Sequence, residues 1–163
     1  MNMSDAGINF LKSIEGLRLR PYDDQTGERI YEWCKGATIG YGHLISLEEW
    51  PWLCNGVLQH VADLMFEDDL APFEDLVSRH LLTPVQPHQF DALVIFAYNI
   101  GAPRFAASSV AKLLRDPRAH TPYPSLEEAW RAWNKSQGKI NQGLINRRAA
   151  EWRLFTTGAY TRW

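Results

Sequence analysis

Thr38-Ile39-Gly40-Tyr41-Gly42-His43 separates two textures in the chain. From residue 17 up to it, glycines at 27 and 36 punctuate short β-branched and aromatic stretches, and Gly40 and Gly42 continue the pattern. That punctuation predicts a small antiparallel sheet over residues 17–45, with residues 38–43 as one strand. Gly40 and Gly42 leave one face of the strand bare, so a ligand or another backbone can come close.

Outside this region the chain reads helical. Ile8, Leu11 and Ile14 form one stripe over residues 5–15, with Ser4 as N-cap and Gly16 as the stop. Ser46-Leu47-Glu48-Glu49 is a capping box, cut short by Pro51. Val57, Val61, Leu64 and Met65 carry a stripe to about Leu70, and Pro72 fits the first turn of a further helix. Residues 88–99 are apolar nearly all round, the pattern of a central buried helix. Ser108 or Ser109 caps a helix ending near Arg115, Ser125 to Glu128 is a second capping box, and Leu144 to Phe155 forms the last helix. The expected architecture is α+β, mostly α. One domain spans 1–163, with a β-rich lobe at about 17–45 and a helical lobe at about 46–163 that takes in the first helix.

The composition of the 163 residues, 45% apolar and 22% charged, excludes a disordered or collagen-like chain. No apolar run reaches the ~18–20 residues of a membrane span. Two cysteines, Cys34 and Cys54, are too few for a disulfide framework. Their separation is open, and a cytosolic chain keeps such thiols reduced. Met1 to Gly7 lacks the basic start and apolar stretch of a secretory signal. The net charge of −2 conceals −9 over residues 1–103 and +7 over residues 104–163. Either the basic third faces an anionic polymer, or the two parts attract each other. No nucleic-acid motif is present. The five histidines, at 43, 60, 80, 88 and 120, form no HExxH pattern or Cys/His cluster, so neither a metal nor a cofactor is expected.

Three residues can carry chemistry. Glu15 stands where the first helix gives way to the sheet. It is either a surface side chain or a partly desolvated acid able to protonate a leaving oxygen. Asp24, in a turn beside Asp23, is either a turn former or the second carboxylate of a glycosidic-bond-cleaving pair. Thr38 has a hydroxyl that both donates and accepts, so it can hold a water beside a carboxylate or serve as an ordinary strand residue.

Glu15-Gly16-Leu17-Arg18-Leu19-Arg20-Pro21-Tyr22-Asp23-Asp24, followed by Thr38 to His43, resembles the phage-type lysozymes of glycoside hydrolase family 24. The eight-residue gap between Glu15 and Asp24 matches the family and selects Asp24 over Asp23. Ala92-Leu93-Val94 to Tyr98-Asn99-Ile100-Gly101 is similar to the family's central helix, and Gly143 to Glu151 to its closing helix. The resemblance implies a lysozyme-like fold with a cleft between its lobes. It also implies hydrolysis of the β-1,4 bond from N-acetylmuramic acid to N-acetylglucosamine in peptidoglycan, for host lysis. In that scheme Glu15 is the general acid, while Asp24 and Thr38 position water for an inverting attack. Tyr41, Tyr98, Asn99 and Arg147 contact substrate, and Arg147 is also a possible partner of Glu15. His43, Gly40 and Gly42 have structural roles, with Asp68 or Asp69 as partner for His43. The protein would act as a monomer, without nucleic acid or membrane insertion. It would wait in the host cytoplasm for a holin to open the way to the periplasm. A lytic transglycosylase, a secreted antibacterial effector and a non-catalytic wall-binding module are the alternatives. One feature departs from the family. Thirteen residues lie between Asp24 and Thr38, more than in the family, so Glu28 to Gly36 reads as an extended hairpin at the cleft rim.

Overall fold

Ser4 opens the first helix as expected, its Oγ accepting the Gly7 amide at 3.1 Å. Helix α1 (Asp5–Glu15) then stops at Gly16, whose φ of 75° a side chain disfavours. The computed structural model describes residues Met1–Trp163 and resolves two compact units. One is Lys12–Leu70; the other combines Met1–Leu11 with Ala71–Trp163.

The Lys12–Leu70 unit contains an antiparallel sheet of β1 (Arg18–Asp23), β2 (Ala37–Gly40) and β3 (His43–Leu44), in that order. Tyr22 lies opposite Thr38, Thr38 lies opposite Leu44, and a bulge falls between Arg18 and Tyr22. Residues 38–43 are therefore not one strand. The chain turns at Tyr41-Gly42, with Gly40 at φ 68° and Gly42 at φ 96°, a backbone path that glycine adopts at no steric cost. All four residues of β2 are buried, and Ala37 and Ile39, on one face, cluster with Ile45 against Ile30, Trp50, Leu53, Val57 and Met65. The sheet's core thus draws in α2 (Trp50–Leu53) and the start of α3 (Gln59–His80), and this unit extends well beyond residues 17–45. Thr38 lies between Ala37 and Ile39, so its side chain points to the opposite face, the one it shares with Tyr22.

The extra segment does not lengthen the hairpin. Residues 24–26 turn at once, and the chain runs back beside β1. Glu28 O accepts the Asp23 amide at 2.9 Å and Pro21 O accepts the Ile30 amide at 3.1 Å. Ile30 joins the apolar cluster, and Trp33 Nε1 donates to Ile45 O at 2.9 Å. Backbone pairing and the Ile30 contact fold the segment back onto the unit, where a longer hairpin at the cleft rim was expected, although most of its residues stay exposed.

Pro72 likewise starts no new helix, because the 22-residue α3 runs unbroken through it. A mid-helix proline removes one i→i−4 hydrogen bond. Burial of Leu70 and Val77 on either side holds the helix together.

The other unit is built around α4 (Pro87–Ile100), whose Phe90 to Ala97 are all buried. After it come α5 (Ala102–Ala107), α6 (Ser109–Arg115), α7 (Leu126–Arg131) and α8 (Gln142–Thr157). Ser108 caps α6 through the Ala111 amide at 3.0 Å, and Ser125 caps α7 through the Glu128 amide at 3.2 Å. Fully buried Trp130 packs with Phe96 (centroids 4.6 Å apart), Phe155 (5.5 Å) and Trp152 (5.7 Å). Asp91, also fully buried, accepts the Ser4 amide at 2.9 Å, the Ser4 hydroxyl at 2.5 Å and the Tyr160 hydroxyl at 2.6 Å. Between α7 and α8 a hairpin of β4 (Lys135–Ser136) and β5 (Lys139–Ile140) interrupts the expected run of helices. Gln137 (φ 50°) and Gly138 (φ 76°) form its tip, the positive-φ pair of a tight hairpin. No helix is long and apolar enough to cross a membrane.

Candidate functional site

Glu15, Asp24 and Thr38 all belong to the Lys12–Leu70 unit. Thr38 is opposite Tyr22 across the ladder and Asp24 is two residues beyond it. Burial raises the Tyr22 phenol above its ordinary pKa; Arg18 opposes this, and the Glu15 and Asp24 carboxylates add to it. The Arg18 guanidinium covers the Tyr22 ring at 4.1 Å. Tyr22, the penultimate residue of β1, was not singled out from sequence.

Asp23 and Asp24 divide their labour. Asp23 Oδ1 accepts the Gln25 amide at 2.9 Å and its carbonyl accepts the Gly27 amide at 2.7 Å, so Asp23 builds the turn. Asp24 is exposed, and its Oδ1 accepts Gln25 Nε2 at 2.9 Å. Gly36 O accepts both the Asp24 amide (3.0 Å) and the Thr38 hydroxyl (2.9 Å). One carbonyl thus ties the two residues expected to hold water. Gly36 has φ 98°, and a Cβ there would collide with the Asp24 carboxylate. The thirteen-residue interval still brings Thr38 to Asp24 because its last residues return along β2.

His43 Nδ1 lies 2.9 Å from Asp69 Oδ2, and its Nε2 is 3.4 Å from Glu49 Oε1. The Asp69 hydrogen bond raises the imidazole above its usual pKa, against the opposing effect of burial. Glu49 is held below the usual carboxylate range by the Ser46 hydroxyl and amide. This pairing ties β3 to α3. At Gly40 a Cβ would meet Ala62 of α3 at 3.6 Å, so the bare face of the strand receives a helix. Tyr41 does not have the solvent-facing position expected of a sugar contact. It is 7% exposed, its hydroxyl donates to Asp63 at 3.0 Å, and its ring lies 5.1 Å from Phe66. Lys12 also binds Asp63, at 2.7 Å, and holds that carboxyl below its ordinary range. Cys34 and Cys54 are both free thiols.

The remaining expected substrate contacts belong to the helical unit. Tyr98 packs edge-on against Phe73 at 5.2 Å. Asn99 accepts a hydrogen bond from Arg148. Arg147 is buried, with its Nε on Glu151 Oε1 at 3.1 Å. Glu151 is fully buried and also accepts Arg148 (3.1 Å) and Trp130 Nε1 (2.9 Å). This network links Asn99 to Arg147 and was not read from sequence, where two adjacent arginines on a helix look solvated. No group of three or more His, Cys, Asp or Glu side chains is arranged to hold a metal ion.

Residues 12–151 match the sequence profile described as Phage lysozyme. The endolysin of Bacillus phage PZA is 43% identical over 97% of this chain and 56% of its own length, so the chain spans little more than half of that relative. Two solved structures align over nearly their whole length. The endolysin from Escherichia coli O157:H7 phage FAHEc1 has a TM-score of 0.79 at 28% identity, covering 99% of this chain and 98% of that one. The muramidase domain of SpmX from Asticaccaulis excentricus has a TM-score of 0.74 at 31% identity, covering 96% and 98%. The fold is accordingly the α+β fold of the lysozymes. The chain belongs to the phage lysozyme family.

Proposed function

We propose that this chain is an endolysin muramidase that hydrolyses the β-1,4 bond from N-acetylmuramic acid to N-acetylglucosamine in peptidoglycan. Glu15, half-buried at the end of α1, protonates the leaving glycosidic oxygen as the bond to the muramyl anomeric carbon breaks. The Thr38 hydroxyl commits its proton to Gly36 O, so toward a water it acts as an acceptor. The Asp24 carboxylate is a second acceptor. A water that donates one O–H to each has its lone pair directed away from both, at the sugar carbon. As its oxygen bonds there, the water's proton passes to Asp24, whose charge also stabilises the oxocarbenium-like transition state. Attack from the face opposite the leaving group inverts the anomeric centre. Tyr98 and Asn99 complete the reading as substrate contacts; Arg147, as buried as Tyr41, is held by Glu151 instead. The observation that supports it most is the Gly36 carbonyl, shared by Asp24 and Thr38.

The test is product analysis on purified peptidoglycan. The expected result is a new muramic acid reducing end, formed first as the α anomer, with Glu15→Gln folding normally and losing about 10²–10⁴-fold in rate. An anhydro-muramic end would replace hydrolysis with transglycosylation. Binding without bond cleavage would make the chain a wall-binding module. In the same reading the protein is a monomer held in the host cytoplasm until a holin opens the membrane. Lysis that needs no holin in an expressing cell would remove that part.

A further inference from the structure

The extra segment places a cation beside the proposed water-holding carboxylate. Lys35 sits at the corner of a turn closed by the Ala37 amide on Cys34 O at 3.0 Å, with Gly36 (φ 98°) as its neighbour. This is the geometry of a tight turn that needs glycine at its third position, and it fixes where Lys35 stands. Lys35, Gly36, Asp24, Gln25 and Leu44 line a cavity of about 410 Å³. Lys35 is exposed, and its ammonium has no carboxylate or carbonyl partner within the protein. Asp24, on the same wall, accepts Gln25 rather than Lys35. The cavity therefore combines an apolar patch, an amide, an acceptor and one uncommitted cation.

We propose that Lys35 forms a carboxylate-binding subsite that engages an acidic group of the glycan strand lying against Asp24. The inference rests on the peptidoglycan reading above and deepens it. Peptidoglycan offers carboxylates from two sources: the lactyl arm of a muramyl residue without peptide, and the peptide stem where one is attached. An ammonium on a flexible stem suits a point-charge contact to either. With no carboxylate of the protein engaging it, this exposed ammonium is open to an anionic group of the substrate. Leu44 supplies an apolar surface for the methyl group of the arm.

The experiment compares wild type, Lys35→Gln and Lys35→Arg on three soluble substrates. These are peptide-bearing glycan strands, strands stripped of peptide by an amidase, and a neutral β-1,4-linked N-acetylglucosamine oligomer. At low salt Lys35→Gln is expected to raise KM on the anionic strands about threefold to fivefold, with kcat moving less. Lys35→Arg restores the wild-type value, and added salt erases the difference. An effect confined to peptide-bearing strands assigns the stem carboxylate; one that persists after stripping assigns the lactyl carboxylate. Equal KM for wild type and Lys35→Gln on both anionic strands overturns the proposal, as does an equal rise on the neutral oligomer. A shift of the acidic limb of kcat with KM unchanged overturns it too, because Lys35 would then act on Asp24. Failure of the wild type to cleave any β-1,4 bond would refute the muramidase reading itself, a separate outcome.

Discussion

Gly36→Ala tests how the proposed site is positioned without altering any side chain proposed to react. At φ 98° an alanine is strained, at a cost of about 1–3 kcal/mol. A Cβ there would overlap Asp24 Oδ1, lie 3.2 Å from Asp24 Cγ and stand 3.4 Å from Asp23 Oδ1. The Asp24 carboxylate must move, or the backbone of residues 35–37 must, and the second choice disturbs the carbonyl that ties Asp24 to Thr38. Strain of that size lowers Tm by roughly 2–12 °C for a chain of this length. Displacing a reacting group by about 1 Å costs on the order of 10²-fold in turnover. The expected variant is therefore folded, modestly less stable, and severely slowed in kcat with a smaller change in KM. The assay is initial-rate release of reducing ends from purified peptidoglycan, run well below the Tm of the variant measured by calorimetry. Near-wild-type turnover by folded Gly36→Ala would refute the idea that this close approach sets the carboxylate.

Two further outcomes are expected. Glu151→Gln removes the charge that Arg147 and Arg148 share inside the helical unit, and breaking a buried pair in this way costs about 3–5 kcal/mol. Calorimetry should show a fall in Tm of roughly 6–20 °C, and a change within experimental error would mean the network carries no net stability. For His43, pairing with Asp69 raises the folded-state pKa above that of the unfolded chain. Its contribution is thus fully present below about pH 6.5 and is lost as pH rises through the raised folded value. The Tm gap between wild type and His43→Gln should be widest at mildly acid pH and narrow on the alkaline side. A gap independent of pH would assign His43 a packing role only.

Local rules made much of the fold legible before any coordinates. Ser4, Ser108 and Ser125 cap the helices that their sequence context predicts, because capping depends on residues within a single turn. The stretch at 90–97, apolar apart from Asp91, is buried because a helix with so little polar surface has nowhere else to go. Errors came where a local rule met a tertiary one. Pro72 should end a helix, yet burial on both sides carries α3 through it. Residues 38–43 should be one strand, yet two positive-φ glycines fold them into two. The segment from Glu28 to Gly36 reads as an extended hairpin, but it turns back along β1 and Ile30 and Trp33 tie it to the unit's apolar cluster and backbone.

Of the site, the list of Glu15, Asp24 and Thr38 came from the resemblance of residues 15–24 and 38–43 to the phage-type lysozymes, because among 19 acidic side chains a bare pair of carboxylates is a weak signal. Tertiary structure alone decided which groups hold them. The Gly36 carbonyl and the cavity beside Lys35 arise from strand pairing between residues distant in sequence, and pairing of that kind leaves no periodic trace. The buried carboxylates Asp91 and Glu151 were hidden for a related reason. A charged side chain is read as solvated until its partners are known, and Ser4, Tyr160, Trp130 and Arg148 reach them only once the chain has folded.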